Sequence, residues 1–405
     1  MNGPLDGLKV FDLTRILAGP TCTQILGDLG AEIIKIERPK VGDDTRNFAP
    51  PYLPDDSGAD SSESAYFAGA NRNKRSITLN LSDPEGQALA KRLLADCDVL
   101  VENFKTGTLE KYGLGYEDLK AEFPRLIYCS VTGFGQTGPY ASRPGYDALI
   151  QAMGGAMSLT GEPDGEPMKV GVSIADIMSG MYAGVSILAA VRHQALTGEG
   201  QQIDVSMLDV HVSWLANQGM SYLATGEVPA RLGNMHPSIV PYQVMPSADG
   251  YFVLSVGNDP TFERFCGVAG CEELLQDDRF RTATERVRNR DHVTETLNTI
   301  TRQHPSAWWL SALEKAKIGC GPINDLKQVF DDPQVKAREM VIEMDHPATG
   351  GRPAKLIASP IKMSATPVTY RLAPPMLGQH TDEVLREALG LSDADIAALR
   401  EKGVV

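Results

Sequence analysis

Five short apolar segments recur through the first third of the chain, and no other feature narrows the fold so far. They are LKVFDL (8–13), AEIIKIE (31–37), RSITLNL (75–81), DVLVEN (98–103) and LIYCSVT (126–132). GPTCTQILGDLG (19–30) reads as a helix after the first segment. SDPEGQALAKRLLADC (82–97) reads as another between the third and fourth, with Ser82 as the expected N-cap and Pro84 early in the helix. Near-continuous apolar strands separated by helices predict a parallel sheet covered on both faces. The expected class is α/β, a doubly wound, mostly parallel, Rossmann-like sheet in a large domain.

At 405 residues the chain exceeds one ordinary core, so a second domain is expected. The character changes after about residue 225. PYQVMPSADGYFVLSVGND (241–259) predicts two antiparallel strands joined at Asp249-Gly250, and helical patterns run from there to about 330, a smaller α+β domain. Near the end, Ser392 is a good cap for DADIAALREKG. Residues 39–66, rich in Pro, Asp, Ser and Gly, read as a long surface excursion suited to a lid or a partner-contacting arm. A formal net charge of −14 disfavours nucleic acid and anionic membrane as partners. The N-terminus lacks a basic flank followed by an apolar core, and no run approaches the ~18 apolar residues of a membrane span. A cytoplasmic location with reduced cysteines is therefore expected. The histidines and cysteines lack metal spacing, and no metal is expected.

GFGQTG (133–138) matches a dinucleotide fingerprint, but Pro139 follows at once and the motif sits at the fifth strand. The first strand-to-helix turn, LTRILAGP, has one glycine, and Glu37 after the second strand loses its force as a ribose acid without the others. A nicotinamide dehydrogenase is disfavoured. Ligands of such sheets collect beyond the carboxyl ends of the strands. Arg38, Lys40, Asn103, Phe104 and Lys105 fall there, with Lys111 in the next turn and Arg72, Lys74 and Arg75 leading into the third strand. Arg offers phosphate a bidentate fork and Phe104 offers a flat ring a wall.

Two carboxylates stand out. Asp147 opens the helix DALIQAMGG, and Asp176 is the one ionisable group in GVSIADIMSG, ahead of the apolar run MYAGVSILAAV. Capping is the commonest reason for Asp at either point. At a helix N-terminus the macrodipole also favours the ionised form, the form a nucleophile requires.

With these residues laid out, the chain resembles the class III CoA transferases, a family that includes formyl-CoA and dicarboxylate CoA transferases and the related α-methylacyl-CoA racemases. The matching blocks are LKVFDLTRILAGPTCTQILGDLGAEIIKIERP, NKRSITLNL, VENFKTGTLEKYGLGYEDL, SVTGFGQTGPYASRPGYDALIQAMGG, the ADIMSG block, GEGQQIDVSMLD and PPMLGQHTDEVL. The resemblance implies that Asp176 is the catalytic nucleophile, forming an acyl-aspartyl anhydride and then an aspartyl-CoA thioester. It implies that CoA is held by Leu17, Ala18, Arg38, Leu79, Asn80, Asn103, Phe104, Lys105 and Lys111, with Tyr146 and Asp147 beside the thioester. Gly257, Asn258 and Asp259 match an active-site loop, with one Gly where the formyl-CoA enzymes carry a run.

Further implications are an interlocked homodimer, no permanently bound cofactor, and acyl-CoA and carboxylic acids as substrates. The large domain would hold 1–220 and a returning 331–405 segment around a small domain at 225–330. Leu17 replaces a Gln of the formyl-CoA enzymes, which with the single Gly argues against oxalate and formate. The racemase alternative needs a His where this chain has Tyr146, and a phenol of parent pKa ~10 is a poor exchangeable base near neutrality.

Overall fold

A computed structural model describes residues 3–405; Met1 and Asn2, which open the expected 1–220 segment, lie outside the described residues. The chain divides into two compact units, one of Met1–Ala156, Val170–Met220 and Lys336–Val405, the other of Met157–Lys169 and Ser221–Val335.

In the first unit all five expected strands form, as β1 (Lys9–Asp12), β2 (Glu32–Glu37), β3 (Lys74–Thr78), β4 (Val99–Glu102) and β5 (Ile127–Thr132). A sixth, β6 (Gln202–Ser206), pairs with β5 at the sheet edge. An edge strand bonds on one side only, so QIDVS needs no continuous apolar run and gave no sequence signal. Every pairing is parallel and the order is β3-β2-β1-β4-β5-β6, that of doubly wound nucleotide-binding sheets.

Successive strand residues enter opposite cores, as a two-residue period requires. Phe11, Ile34, Leu100 and Tyr128 pack with the helices Pro84–Leu94 and Thr381–Leu389. Val10, Ile33, Val99, Val101, Ile127 and Cys129 pack with the helices Ala18–Asp28 and Ile174–Thr197. The cap expected at Ser82 falls instead on Asp83, which accepts from the Glu85 N–H at 2.7 Å with Pro84 in the first turn. The carboxylate one residue later lines up better with the free N–H groups. Ser392 caps Asp393–Glu401 as expected.

The 24-residue helix Ile174–Thr197 is long and apolar enough to cross a bilayer, contrary to the expectation drawn from unbroken apolar runs, because its scattered polar residues break the run while its mean hydropathy stays high. Its inner face is buried, and Gly180 sits where a Cβ would meet the Ala18 carbonyl oxygen at 2.5 Å. That close approach sets the long helix against the start of Ala18–Asp28. Asp176, four residues earlier, lies on the same helix face.

Several basic residues read as ligand groups are structural instead. Arg72 pairs with Asp28, and its Nε donates to the Asp28 carboxylate at 2.9 Å. Lys74, fully buried, sits 3.3 Å from Asp12 and donates to the Pro20 carbonyl and the Asn71 side chain. Arg75 joins Glu32, Glu383 and Glu387. The 39–66 excursion is anchored: Arg46 pairs with Glu37 at 2.7 Å and Glu63 at 3.1 Å, its guanidinium 3.7 Å from the Phe67 ring centre.

In the second unit the expected hairpin forms from β7 (Tyr242–Pro246) and β8 (Tyr251–Ser255), and β9 (Gly319–Pro322) joins the far side of β8. GCGP carries no strand pattern, so β9 was illegible. Phe252 and Phe265 stack on Trp309 at 5.9 and 6.2 Å in its core.

Asp12 sits under the sheet's ligand-facing end. Burial alone would raise its pKa, but Lys74 and Lys35 together hold it below the ordinary carboxylate value. Asp12→Ala should therefore lower unfolding stability by about 3–5 kcal/mol in urea titration, because it strands buried ammonium groups.

Candidate functional site

The order of the sheet reverses between β1 and β4, so the crevice beyond these two strands is where a ligand belongs. Asn103, just after β4, ties the two loops together there. Its side chain accepts from the Arg15 N–H at 2.8 Å and donates to the Arg15 carbonyl at 2.7 Å. Ile16 takes φ 68°, a left-handed conformation a β-branched residue rarely adopts. It is held by Asp43, which accepts its N–H at 3.2 Å. Lys35 secures Asp43 from below at 2.9 Å, and burial, though it opposes ionisation, yields to Lys35 and the Thr45 N–H in holding Asp43 down to about 2.

A cavity of about 570 Å³ opens on these loops. Arg38, Leu79, Asn80 and Phe104, expected above as ligand groups, line it along with Arg15, Lys40, Tyr112 and, from the far end of the chain, Arg400 and Val405. Arg15 lies 5.1 Å from the centre of the Phe104 ring, and Glu102 accepts the Phe104 N–H at 2.8 Å. Burial pushes that glutamate up to about 7. Lys105 instead borders a small neighbouring hollow, and Lys111 borders neither cavity. Leu17 stands at the N-cap of Ala18–Asp28 without a side-chain cap bond.

Asp176 is not a cap. The helix begins at Ile174, so Asp176 lies inside the first turn, and the cap position falls to Ser173 without a side-chain bond. The capping carboxylate comes from another helix. Asp147 heads Asp147–Met153 and accepts the Ala175 N–H at 2.8 Å and the Asp176 N–H at 3.4 Å. Its second oxygen accepts from Gln151 at 2.7 Å, and Gln151 in turn accepts the Val170 N–H at 2.8 Å. Asp147 thus spends its hydrogen bonds on fixing the turn that carries Asp176.

The consequence for Asp176 reverses the sequence expectation. Burial, then the Asp147 charge, push its carboxyl up to about 7, and these outweigh the helix dipole. It therefore keeps its proton to a higher pH than an exposed aspartate does. An ionised carboxylate held in such surroundings is poorly solvated and correspondingly reactive. Burial holds the imidazole of His211, which feels the Asp147 charge, below its usual value.

Tyr66, at the end of the excursion, carried no sequence signal. It lies within hydrogen-bonding reach of Ser173 and feels the charges of Asp176, Asp147 and Asp43. Its ring meets Phe48 edge-on at 5.6 Å. Tyr146 is exposed beside Asp147. Gly257, Asn258 and Asp259 belong to the second unit, where Asn258 caps Asp259–Ala269 and Asp259 pairs with Arg286 at 2.8 Å. Cys22, sealed in the core with its thiol pushed up to about 12, is unsuited to nucleophilic chemistry.

Residues 5–381 match CoA-transferase family III. A succinate–glutarate CoA-transferase of Agrobacterium fabrum is 47% identical over 95% of this chain and 95% of its own. An acetyl-CoA:oxalate CoA-transferase of Acetobacter aceti is 42% identical over 88% of this chain and 90% of its own. The crystal structure of a CAIB/BAIF family protein from Brucella suis superposes with a TM-score of 0.83 at 48% identity, covering 96% of this chain and 100% of that one.

The raised Asp176 pKa has a stability cost with a definite sign. Between the ordinary carboxylate value and about 7, the folded state holds a proton that the unfolded state has released, so stability falls as pH rises through that window. Asp176→Asn should raise the thermal midpoint at pH 8, with the gain vanishing toward pH 4. Asp147→Asn, made in the wild-type background, should move the window to lower pH.

Proposed function

The chain belongs to CoA-transferase family III, and from that premise we propose that it exchanges CoA between short dicarboxylic acids through covalent intermediates on Asp176. It is an enzyme that moves CoA from an acyl-CoA thioester to a free carboxylic acid. One observation carries the mechanistic reading. The carboxyl of Asp176 is half-buried, its turn is fixed by Asp147, and among the described residues it accepts no hydrogen bond that would quench it.

The Asp176 carboxylate attacks the thioester carbonyl, the C–S bond breaks, and CoA leaves as a thiolate, a good leaving group at a parent pKa of ~8.5. The thiolate attacks the aspartyl carbonyl of the mixed anhydride and expels the donor acid, leaving an aspartyl-CoA thioester. The acceptor carboxylate attacks that carbonyl in turn, and the released thiolate then takes the acceptor's acyl carbon and frees Asp176. Each step makes one acyl bond and breaks one, so a single carboxylate serves the whole cycle. The nucleotide end of CoA is assigned to the cavity lined by Arg38, Leu79, Asn80 and Phe104, with the thioester reaching past Tyr66 toward Tyr146 and Asp176.

The 47%-identical relative is named for succinate and glutarate and the 42%-identical one for acetyl-CoA and oxalate. Both sets include a dicarboxylic acid, which supports that acceptor class. The succinate–glutarate pair is favoured because Leu17 offers no amide to a small diacid. An interlocked homodimer is part of the same proposal. Along Ile174–Thr197 the outward residues Met181, Tyr182, Val185 and Leu188 are exposed, and Trp214 and Met220 follow on the next helices. An apolar surface of this extent on a soluble chain calls for a partner.

Incubation with succinyl-CoA followed by mass spectrometry should find a CoA or succinyl adduct on the Asp176 peptide. Asp176→Ala should lack both adduct and turnover; wild-type turnover without any adduct at this peptide would refute the covalent route. Light scattering should give twice the chain mass for the wild type, and Val185→Glu should shift it toward one chain mass or insolubility.

A further inference from the structure

In sheets of this strand order, the residue at the end of the second strand reads the ribose. An acid there takes a free diol, and a cation takes a phosphorylated one. Here the position belongs to Glu37, which is buried and fully engaged. It accepts from Arg46 at 2.8 and 2.7 Å, from the Asp43 N–H at 2.9 Å and from the Ser76 hydroxyl at 2.5 Å. No lone pair is left for a ribose hydroxyl without breaking a buried ion pair. The groups that follow on the surface are Arg38 and Lys40.

Five cations line the cavity: Arg15, Lys35, Arg38, Lys40 and Arg400. Four are already matched to a carboxylate. Arg15 and Arg38 share Asp44 at 3.0 and 2.8 Å, Lys35 holds Asp43, and Arg400 holds Asp382. Among the described residues only Lys40 of this set has no anionic partner. Its backbone takes φ 64°, the left-handed region that disfavours a side chain. The turn is braced on both sides of it: the Gly42 N–H donates to the Arg38 carbonyl at 2.9 Å, and the Arg38 guanidinium donates back to the Gly42 carbonyl at 3.3 Å. A fixed turn therefore presents an unmatched ammonium group on the cavity wall.

We infer that Lys40 binds the phosphate on the ribose of the CoA thioester and makes the site select CoA over 3′-dephospho-CoA. This rests on the CoA-transferase reading, and it adds a residue that sets which nucleotide is accepted. The other anion of the same ligand, the diphosphate, is common to both nucleotides, which makes the two readily separable.

The test is calorimetric titration of the full chain with CoA and with 3′-dephospho-CoA. The wild type should prefer CoA by about ten-fold or more, the scale of one charge-assisted hydrogen bond to phosphate. Lys40→Gly should erase most of that preference by weakening CoA alone. Glycine suits the left-handed turn, so this variant removes the charge without disturbing the fold. Lys40→Arg should retain the preference. Equal weakening for both ligands would assign Lys40 to the diphosphate and overturn the inference, as would an unchanged preference. A wild type that binds CoA and forms the Asp176 adduct but shows no preference would overturn it while leaving the transferase reading intact. A wild type that binds neither nucleotide would overturn both.

Discussion

The ligand-facing end of the sheet rests on a row of buried charges. Asp12 at the end of β1 meets Lys74 on β3, and Lys35 on β2 meets Asp43 in the following loop, all fully buried at the side chain. Lys35 also donates to the Thr14 carbonyl at 2.8 Å, so the loop after β1 is fastened to the same group. Such pairs contribute little net stability against an apolar equivalent, since desolvation offsets most of the attraction. Their value here is positional. Each hydrogen bond accepted by Asp43 or donated by Lys35 removes a freedom from the loops that form the cavity rim, down to the left-handed backbone of Ile16.

A second device works in the opposite direction. The Asp147–Gln151–Val170 chain of hydrogen bonds fixes the turn bearing Asp176, yet Asp147 also raises the free energy of the Asp176 carboxylate by its own charge. A neutral capping group could also accept the Ala175 N–H but would leave the Asp176 carboxylate without this repulsion. The carboxylate cap therefore couples order to reactivity. Stability is forfeited at the one group whose ground state should be high if it is to attack a thioester.

The cavity at this end of the sheet draws on both ends of the chain. Arg15, Arg38 and Phe104 come from the first third, while Arg400 and Val405 come from the last six residues. The hydrogen bond from the Asn80 N–H to the Val404 carbonyl at 2.8 Å and the packing of Ile396 and Leu399 against the sheet explain why the final helix returns to this unit.

Local patterns in the sequence were enough for the first five strands, the hairpin of the second unit, the Ser392 cap and the choice of Asp176 as the odd acid. Each depends on residues within a few positions of one another: apolar periodicity, a turn dipeptide, a cap residue, a charge in a greasy run. The edge strand β6 and the glycine strand β9 escaped because their pairing is supplied by neighbours and needs no pattern of their own. Burial inverted the meaning of several charges. Arg72 and Lys74 read as phosphate ligands until their carboxylate partners, Asp28 and Asp12, were brought to them from distant segments. The role of Asp147 was split in the same way, since it heads one helix and caps another 28 residues away in sequence. Residue type determined which groups could be charged, bond or cap. Only the tertiary structure decided which carboxylate each cation would meet and which acid would be left unquenched, because those energies depend on distances that the order of residues along a chain does not set.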